Sequence, residues 1–266
     1  RELAIQIARD ASGLCKATGI RMACLYGGTS KAEQIKALEF GIDQLICTPG
    51  RLNDLVKKPD KFTGQAILSL SMVHYVVLDE ADSMLELGLE QQVRGLLQHV
   101  ADQPQILCFS ATWPKKVQAL TEEFMPKAVH IKVLGPEANG HSVAGNQDVR
   151  QHVRLLRVEE DRFKELCKIL KNHKTEACMV FCNFKKIAAS LDRWLREEGF
   201  SCGALHSNLM QSERQEVLTR FRQQELNILV ATDVAARGLD LKHVSVVVSY
   251  NPAVSLDAHI HRIGRT

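Results

Sequence analysis

The chain has 266 residues, of which 45% are hydrophobic and 24% are charged, a balance that excludes an intrinsically disordered chain. This length fits two domains of roughly 130 residues each, and no apolar run approaches the ~20 residues that a membrane-spanning helix needs. The formal net charge of +3 permits a polyanion as partner without requiring one. The eight cysteines include no C-x-x-C pair, which disfavours a metal site at Cys178 and Cys182 and indicates a reducing compartment, the cytoplasm or the nucleus.

Short β-branched segments alternate with amphipathic helical segments along the chain. Several of the predicted strands are apolar at successive positions, as expected for strands buried on both faces of a parallel sheet. The predicted strands are Ile20–Leu25, Gln44–Cys47, Val73–Leu78, Gln105–Phe109, Val129–Val133, Gln151–Val158, Ala177–Phe181, Cys202–Leu205, Asn227–Ala231 and Val244–Ser249. The predicted helices are Lys31–Phe40, Leu85–Val100, Lys115–Phe124, Asp161–Asn172, Lys185–Glu198 and Gln211–Gln223. This alternation predicts a doubly wound α/β architecture with right-handed crossovers.

One segment interrupts the alternation. Leu134–Asp148 is rich in glycine, proline and asparagine without apolar periodicity, which predicts a linker at residues 135–148 between domains 1–134 and 149–266. Within it, Gly135–Ser142 has the glycine spacing of a phosphate-binding loop. It carries His141 where that loop needs lysine, and no helical pattern follows, so we do not interpret it as one.

Polar clusters follow several predicted strands, at the edge where α/β sheets bind ligands. Asp79–Asp82 follows an apolar strand, which is typical both of a Mg²⁺-binding carboxylate and of an acidic helix N-terminus. Ser110–Thr112 by itself is better explained as a helix cap. Arg262 and Arg265 share one face of a helical turn, which suits either a polyphosphate ligand or a solvated helix end.

Taken together and in this order, the clusters resemble the motifs of the DEAD-box RNA helicases of superfamily 2, and the resemblance covers essentially the whole chain. Two positions depart from the family pattern, since Ser207 stands where glycine is usual and His259 where tyrosine is common. The matching segments are Arg1–Leu3 (motif Ia), Gly27-Gly28, Thr48–Arg51 (Ib), Asp79–Asp82 (II), Ser110–Thr112 (III), Val180–Asn183 (IV), Gln211 with Arg214, Thr232–Asp240 (V) and His261–Arg265 (VI).

The resemblance implies an ATP-dependent RNA helicase core that uses ATP and Mg²⁺ and binds RNA without reading its sequence. Asp79 would hold Mg²⁺ through water, Glu80 would act on the attacking water, and Arg262 and Arg265 would be arginine fingers. The implied coupling residues are Asp82, Ser110, Thr112 and His261, and the implied nucleotide-binding residues are Gly238 and Asp240. The implied RNA-backbone contacts are Arg1, Gly27, Gly28, Thr48, Gly50, Arg51, Asn183, Gln211, Arg214 and Thr232.

The resemblance also implies two RecA-like doubly wound parallel-sheet domains joined by a short linker, both truncated. The 266 residues contain no G-x-x-x-x-G-K-[ST] loop, so we expect this chain alone to bind ATP poorly. Two other functions stay open: a non-catalytic RNA clamp that scaffolds other proteins, and a DNA-directed member of the superfamily. Contacts to the ribose 2′-hydroxyls would separate RNA from DNA as the ligand.

Overall fold

The computed structural model describes residues 1–57, 66–133, 149–241 and 243–266, and the chain divides into two compact units, Arg1–Ile131 and Lys132–Thr266. The linker predicted at residues 135–148 lies outside the described residues. All the strand ladders are parallel and the strands alternate with helices, which confirms the predicted α/β fold class. Among the described helices, none is both long and apolar enough to cross a membrane.

The first unit contains two parallel sheets of two strands each, one formed by its first two strands and the other by its last two. Its elements are α1 (Glu2–Thr18), β1 (Met22–Leu25), α2 (Lys31–Lys36), β2 (Gln44–Cys47), α3 (Pro49–Lys57), β3 (Tyr75–Leu78), α4 (Ala81–Glu86), α5 (Glu90–Leu97), β4 (Gln105–Cys108) and α6 (Lys115–Phe124).

The second sheet of this unit is covered on one face. Leu78 of β3 belongs to a buried cluster with Leu85 of α4 and Leu120 of α6, whereas Tyr75 and Val77 are 55% and 50% exposed. Because side chains alternate between the faces of a strand, the covered face is the one that packs on α4, α5 and α6. This packing places the carboxyl ends of β3 and β4 side by side, with Leu78 opposite Cys108.

The predicted single helix Leu85–Val100 is wrong, because two helices occupy this region. Gly88, with a φ of +74°, separates α4 from α5 in a left-handed conformation that only glycine adopts freely. The apolar periodicity continues through both helices, so it did not reveal the break.

The second unit contains one four-stranded parallel sheet in the order β6-β7-β5-β8. Its elements are α7 (Asp161–Asn172), β5 (Ala177–Cys182), α8 (Lys185–Glu197), β6 (Cys202–Leu205), α9 (Gln211–Arg222), β7 (Ile228–Thr232), α10 (Asp233–Ala236), β8 (Val244–Ser249) and α11 (Leu256–Ile263).

The sheet of the second unit is packed on both faces, as a doubly wound fold requires. Met179 and Phe181 of β5 contribute to a cluster with α9 and α10, and Cys178 and Val180 contribute to a cluster with α7 and α8. Two-sided burial explains why β5 and β7 are apolar at successive positions. The carboxyl ends of β5, β6 and β7 lie together at one edge, where the candidate residues follow.

Two of the predicted strands are wrong. Residues 129–133 and 151–158 contain β-branched residues, yet neither segment pairs with a strand in the part of the chain that the structure describes. Val133 is 92% and Leu155 is 93% exposed. Composition favours extended backbone, but a strand also needs a neighbouring strand for its hydrogen bonds.

Candidate functional site

Asp79 and Glu80 follow β3 directly. The exposed Asp79 carboxylate accepts a hydrogen bond through Oδ1 from the Glu80 backbone N–H at 3.0 Å. Glu80 has φ 49° and ψ 50°, a left-handed conformation that costs a non-glycine residue roughly 1–2 kcal/mol. The Ala81 N–H donates to the Phe109 carbonyl at 3.0 Å, which joins this turn to the end of β4. Strained backbone concentrates at functional sites, so the conformation of Glu80 supports its selection as a candidate.

Asp82, Ser110 and Thr112 are in direct contact. Asp82 is 1% exposed, and its Oδ2 accepts hydrogen bonds from the backbone N–H of Thr112 at 2.8 Å and from the Thr112 hydroxyl at 2.7 Å. The Ser110 hydroxyl accepts from the Asp82 N–H at 3.3 Å and donates to the Thr112 carbonyl at 2.7 Å. A buried carboxylate needs such donors. The turns after β3 and β4 are therefore linked, although the coupling role itself stays a prediction.

Gly27, Gly28 and Arg1 lie at the loop after β1. Gly28 has a φ of +90°, which explains the need for glycine there. A Cβ atom on Gly27 would lie 3.6 Å from the guanidinium of Arg1, so the first residue of the chain lies against this loop. The Thr48 N–H donates to the Leu25 carbonyl at 2.9 Å, which places the start of α3 beside the same loop.

Arg51 reaches the same loop from α3. Its Nη1 donates to Oε1 of Gln34 at 2.9 Å and its Nη2 donates to the Thr29 carbonyl at 3.1 Å. A Cβ atom on Gly50 would lie 3.4 Å from Oε1 of Gln92, the end of a flexible side chain on α5. The structure therefore brings together the six RNA-contact candidates of the first unit, which are Arg1, Gly27, Gly28, Thr48, Gly50 and Arg51.

Arg262 is fully buried at the centre of the second unit, with 0% exposure. Its Nε and Nη2 donate to the two carboxylate oxygens of Asp233 at 2.6 Å and 2.8 Å. Nη1 donates to Ser249 Oγ at 3.3 Å and to the Asn251 carbonyl at 2.7 Å, and Nη2 also donates to Asn183 Oδ1 at 2.7 Å. These bonds use all five N–H donors of the guanidinium. All five donors are thus held within the second unit, and the role of Arg262 as an arginine finger stays a prediction.

Asn183 is also held within the second unit. Besides accepting from Arg262, it donates through Nδ2 to the Pro252 carbonyl at 3.1 Å, and its backbone N–H donates to Asn251 Oδ1 at 3.3 Å. Its side chain thus joins the end of β5 to the segment after β8. The sequence analysis singled out Asn183 but missed its partners Asn251 and Pro252, because nothing local in the sequence indicates which polar groups will meet.

Arg265, His261 and Arg237 line a small pocket next to Asp233 and Arg262. Arg265 Nη1 donates to the Leu239 carbonyl at 2.7 Å, which places its guanidinium beside the segment that carries the predicted nucleotide-binding residues Gly238 and Asp240. Gly238 has a φ of +66°, again a conformation suited to glycine. Motifs V and VI therefore meet in a basic pocket that suits an anionic ligand.

Gln211, Arg214 and Thr232 lie near the same edge of the sheet and are at most 9% exposed. Arg214 donates through Nη1 to the His206 carbonyl at 3.2 Å and through Nη2 to the Ala235 carbonyl at 3.5 Å. Arg214 therefore bridges the loop after β6 and α10. Its predicted contact with RNA stays a prediction.

We expect acidification to destabilise the second unit through His206. This side chain is 7% exposed, and burial, followed by the positive charge of Arg214, lowers the pKa of His206. The unfolded chain then binds more protons than the folded chain, so stability is lost as pH falls through the unfolded-state pKa of ~6.5. Thermal unfolding measured from about pH 7.5 to about pH 5.5 should show a smaller decrease in Tm for His206→Gln than for the parent. Equal decreases in Tm for His206→Gln and the parent would contradict the assignment of this pH dependence to His206.

Cys178 and Cys182, where the sequence disfavours a metal site, are buried thiols. Burial raises the pKa of both Cys178 and Cys182 to about 11, so their thiols stay protonated near neutral pH. Zinc binds the thiolate form, so these two positions are poor ligands. No group of three His, Cys, Asp or Glu side chains suited to a metal ion occurs within the described ranges.

Models of known protein families match residues in both units. The model of the DEAD/DEAH box helicase family matches residues 1–120, and that of the helicase conserved C-terminal domain matches residues 161–266. The chain belongs to the DEAD-box helicase family. The motifs of this DEAD-box chain thus occur in the order that the resemblance implied.

Individual relatives support the assignment of this DEAD-box chain over its full length. DEAD-box ATP-dependent RNA helicase 5 of Arabidopsis thaliana is 41% identical over 273 residues, which cover 100% of the chain and 48% of the relative. DEAD-box ATP-dependent RNA helicase 40 of Oryza sativa subsp. japonica is 37% identical over 267 residues, 100% of the chain and 32% of the relative. The chain therefore spans about a third to a half of the length of these curated relatives.

A solved structure gives the same result for the fold. Saccharomyces cerevisiae Dbp5 bound to RNA and ADP BeF3 matches with a TM-score of 0.84 at 28% identity, covering 100% of this chain and 66% of that one. This similarity confirms the predicted RecA-like α/β fold.

Proposed function

We propose that the protein is an ATP-dependent RNA helicase, which couples ATP hydrolysis to RNA binding and local opening of a duplex. The observation that carries this proposal is the contact between Asp82, Ser110 and Thr112. It joins the acidic turn that follows β3 to the turn that follows β4 through a buried carboxylate. A change at Asp79 or Glu80 is thereby transmitted directly to the segment after β4.

Asp79 and Glu80 provide the acidic chemistry of the first unit. The exposed carboxylate of Asp79 offers the hard oxygen ligands that Mg²⁺ prefers, so it would hold the ion through the water shell. When bound, Mg²⁺ neutralises charge on phosphate oxygens. Glu80 orients or deprotonates the attacking water. Because its backbone is left-handed, the Glu80 side chain points in a direction different from the one it would have if β3 continued through this residue.

Arg265 provides the positive charge of the second unit. In a pocket with Arg237 and His261, its guanidinium stabilises negative charge that grows on a phosphoryl group in the transition state. Asp240 contacts the ribose, and Gly238 lets the backbone approach the nucleotide. Asp233 and Arg262 support this pocket from inside the unit.

The protein binds RNA through the sugar–phosphate backbone. The candidates in the first unit are three glycines, Thr48, and the cations Arg1 and Arg51. Such groups fix the position of a strand without reading its bases, so binding is independent of sequence. The similar structure of Dbp5, which is bound to RNA and ADP BeF3, supports RNA and a nucleotide as ligands here.

RNA-stimulated ATP hydrolysis and duplex unwinding by the full-length protein test the proposal directly. We expect the rate of ATP hydrolysis to rise when single-stranded RNA is added. Single-stranded DNA should not produce this rise, because DNA lacks the 2′-hydroxyls that distinguish the two nucleic acids. RNA binding without any ATP turnover would replace the proposal with the non-catalytic clamp. Equal stimulation by DNA would indicate a DNA-directed enzyme.

We expect Arg51→Ala to weaken binding of single-stranded RNA to a similar extent for different sequences. Loss of one phosphate contact should reduce the slope of log K against log salt by about 0.7. Fluorescence anisotropy of labelled oligonucleotides at several salt concentrations measures both effects. Arg9→Ala is the matched control, since Arg9 is an exposed cation of the same unit that pairs only with Asp10 among the described residues. A loss confined to one RNA sequence would contradict backbone binding.

We also propose that the protein works in a reducing compartment, either the cytoplasm or the nucleus. All eight cysteines are free, and five of them are buried. Thiols of this kind persist where disulfides do not form.

A further inference from the structure

Gln34 lies between two groups of RNA-contact candidates. It belongs to α2, a six-residue helix that buries none of its residues. Its Nε2 donates to the Tyr26 carbonyl at 3.0 Å and to the Thr29 hydroxyl at 2.7 Å. One side-chain amide therefore holds both ends of the loop that contains Gly27 and Gly28.

The other end of the same amide holds Arg51. Gln34 Oε1 accepts from Arg51 Nη1 at 2.9 Å, while Arg51 Nη2 donates to the Thr29 carbonyl at 3.1 Å. Both contacts belong to one closed network, since Thr29 is bonded to Gln34 and to Arg51. Among the described residues, these two contacts use two of the five guanidinium donors, and the others can contact a ligand.

We propose that Gln34 is a positioning residue for RNA binding, which acts by fixing the direction of the Arg51 guanidinium against the glycine loop. An arginine side chain has many rotamers, and a ligand that must order them binds more weakly. Gln34 orders them before RNA arrives. This inference rests on the proposed RNA function and adds to it a neutral residue outside the motifs that the sequence analysis identified.

A purely structural role for Gln34 does not fit its surroundings. Since α2 buries no residue, its packing contributes little to the stability of the unit. The hydrogen bonds of Gln34 are directed instead to the loop and to the cation. Substitution should therefore alter RNA binding far more than folding.

The salt dependence of RNA binding tests this role. We expect Gln34→Leu to weaken binding of single-stranded RNA by about two- to tenfold, the effect of one side chain that must be ordered on binding. It should also lower the slope of log K against log salt towards that of Arg51→Ala, a fall of up to about 0.7. Gln34→Leu removes no charge, so a change in slope can arise only through a cation that Gln34 positions.

Gln118→Leu is the matched control for this experiment. Gln118 is an exposed glutamine of the same unit, and its Nε2 donates only to Glu122 on its own helix among the described residues. We expect its RNA affinity, salt slope and Tm to equal those of the parent. In the double variant Gln34→Leu with Arg51→Ala, we expect no loss beyond that of Arg51→Ala alone.

The outcomes separate this inference from the proposed function. If Arg51→Ala lowers the salt slope but Gln34→Leu weakens binding with an unchanged slope, Gln34 does not act through Arg51 and the inference is overturned. Additive losses in the double variant would overturn it as well. If Arg51→Ala itself leaves RNA binding unchanged, the RNA role of Arg51 fails, and the inference fails with it. A Tm lowered in Gln34→Leu, together with an unchanged slope, would assign Gln34 to folding instead.

Discussion

Replacement of Arg265 by alanine in the full-length protein is expected to lower kcat for RNA-stimulated ATP hydrolysis by about 10³–10⁵-fold, or roughly 4–7 kcal/mol. In the proposed function the guanidinium acts on charge that develops in the transition state, so its loss should affect turnover more than binding. ATP affinity should stay within about tenfold of the parent value. Single-turnover hydrolysis at saturating RNA, with a separate measurement of nucleotide affinity, distinguishes the two effects.

The control for this prediction is Arg193→Ala. Arg193 is an exposed arginine of α8 that forms an i,i+4 pair with Glu197 and lies outside the pocket of Arg265. Exposed pairs of this kind contribute little to stability, so we expect parental turnover and stability. A hydrolysis rate close to that of the parent in Arg265→Ala would remove Arg265 from the catalytic residues.

Replacement of Arg262 by methionine is expected to lower the free energy of unfolding by roughly 3–5 kcal/mol, because it leaves the Asp233 carboxylate without its partner in the interior. The carbonyl of Asn251 and the amide of Asn183 would also lose their donor. Urea-induced unfolding followed by circular dichroism measures the loss. In Arg265→Ala we expect a large fall in kcat and little change in the free energy of unfolding. In Arg262→Met we expect the free energy of unfolding to be the property that falls most.

A double variant tests whether the unpaired charge of Asp233 causes the loss of stability. Asp233→Asn removes the unpaired carboxylate, so the substitution should cost less stability in the Arg262→Met background than in the parent. Equal costs in both backgrounds would show that the two residues are not coupled. A parental urea midpoint for Arg262→Met would contradict the supporting role and restore Arg262 as a candidate for the phosphoryl group.

Much of the fold follows from local sequence. The apolar runs of β5 and β7 predict strands buried on two faces, and the structure confirms this with a separate cluster on each side of the sheet. Periodicity also predicts α7, α8 and α9 to within a residue, because these helices present one apolar stripe to the sheet. The order of the motifs was enough to recognise the family.

Pairing between segments was decided only by the tertiary structure. Residues 129–133 and 151–158 have the composition of strands, but no neighbouring strand supplies their hydrogen bonds among the described residues. Conversely, α3 carries Arg51 and was not predicted, because its Thr-Pro-Gly start is more typical of a turn. A local pattern records backbone preference and the apolar face, whereas pairing depends on what lies beside the segment.

The same limit applies to the functional residues. The sequence by itself determined which residues carry the charges and hydroxyls of the family motifs, since those are fixed by residue type and spacing. It did not determine that Arg262 is buried with every donor used, or that Gln34 holds Arg51. Arg262 meets Asn183 across 79 positions of the chain and Asp233 across 29. Such contacts arise only when the sheet brings the carboxyl ends of its strands together, so the roles of these side chains were decided by packing.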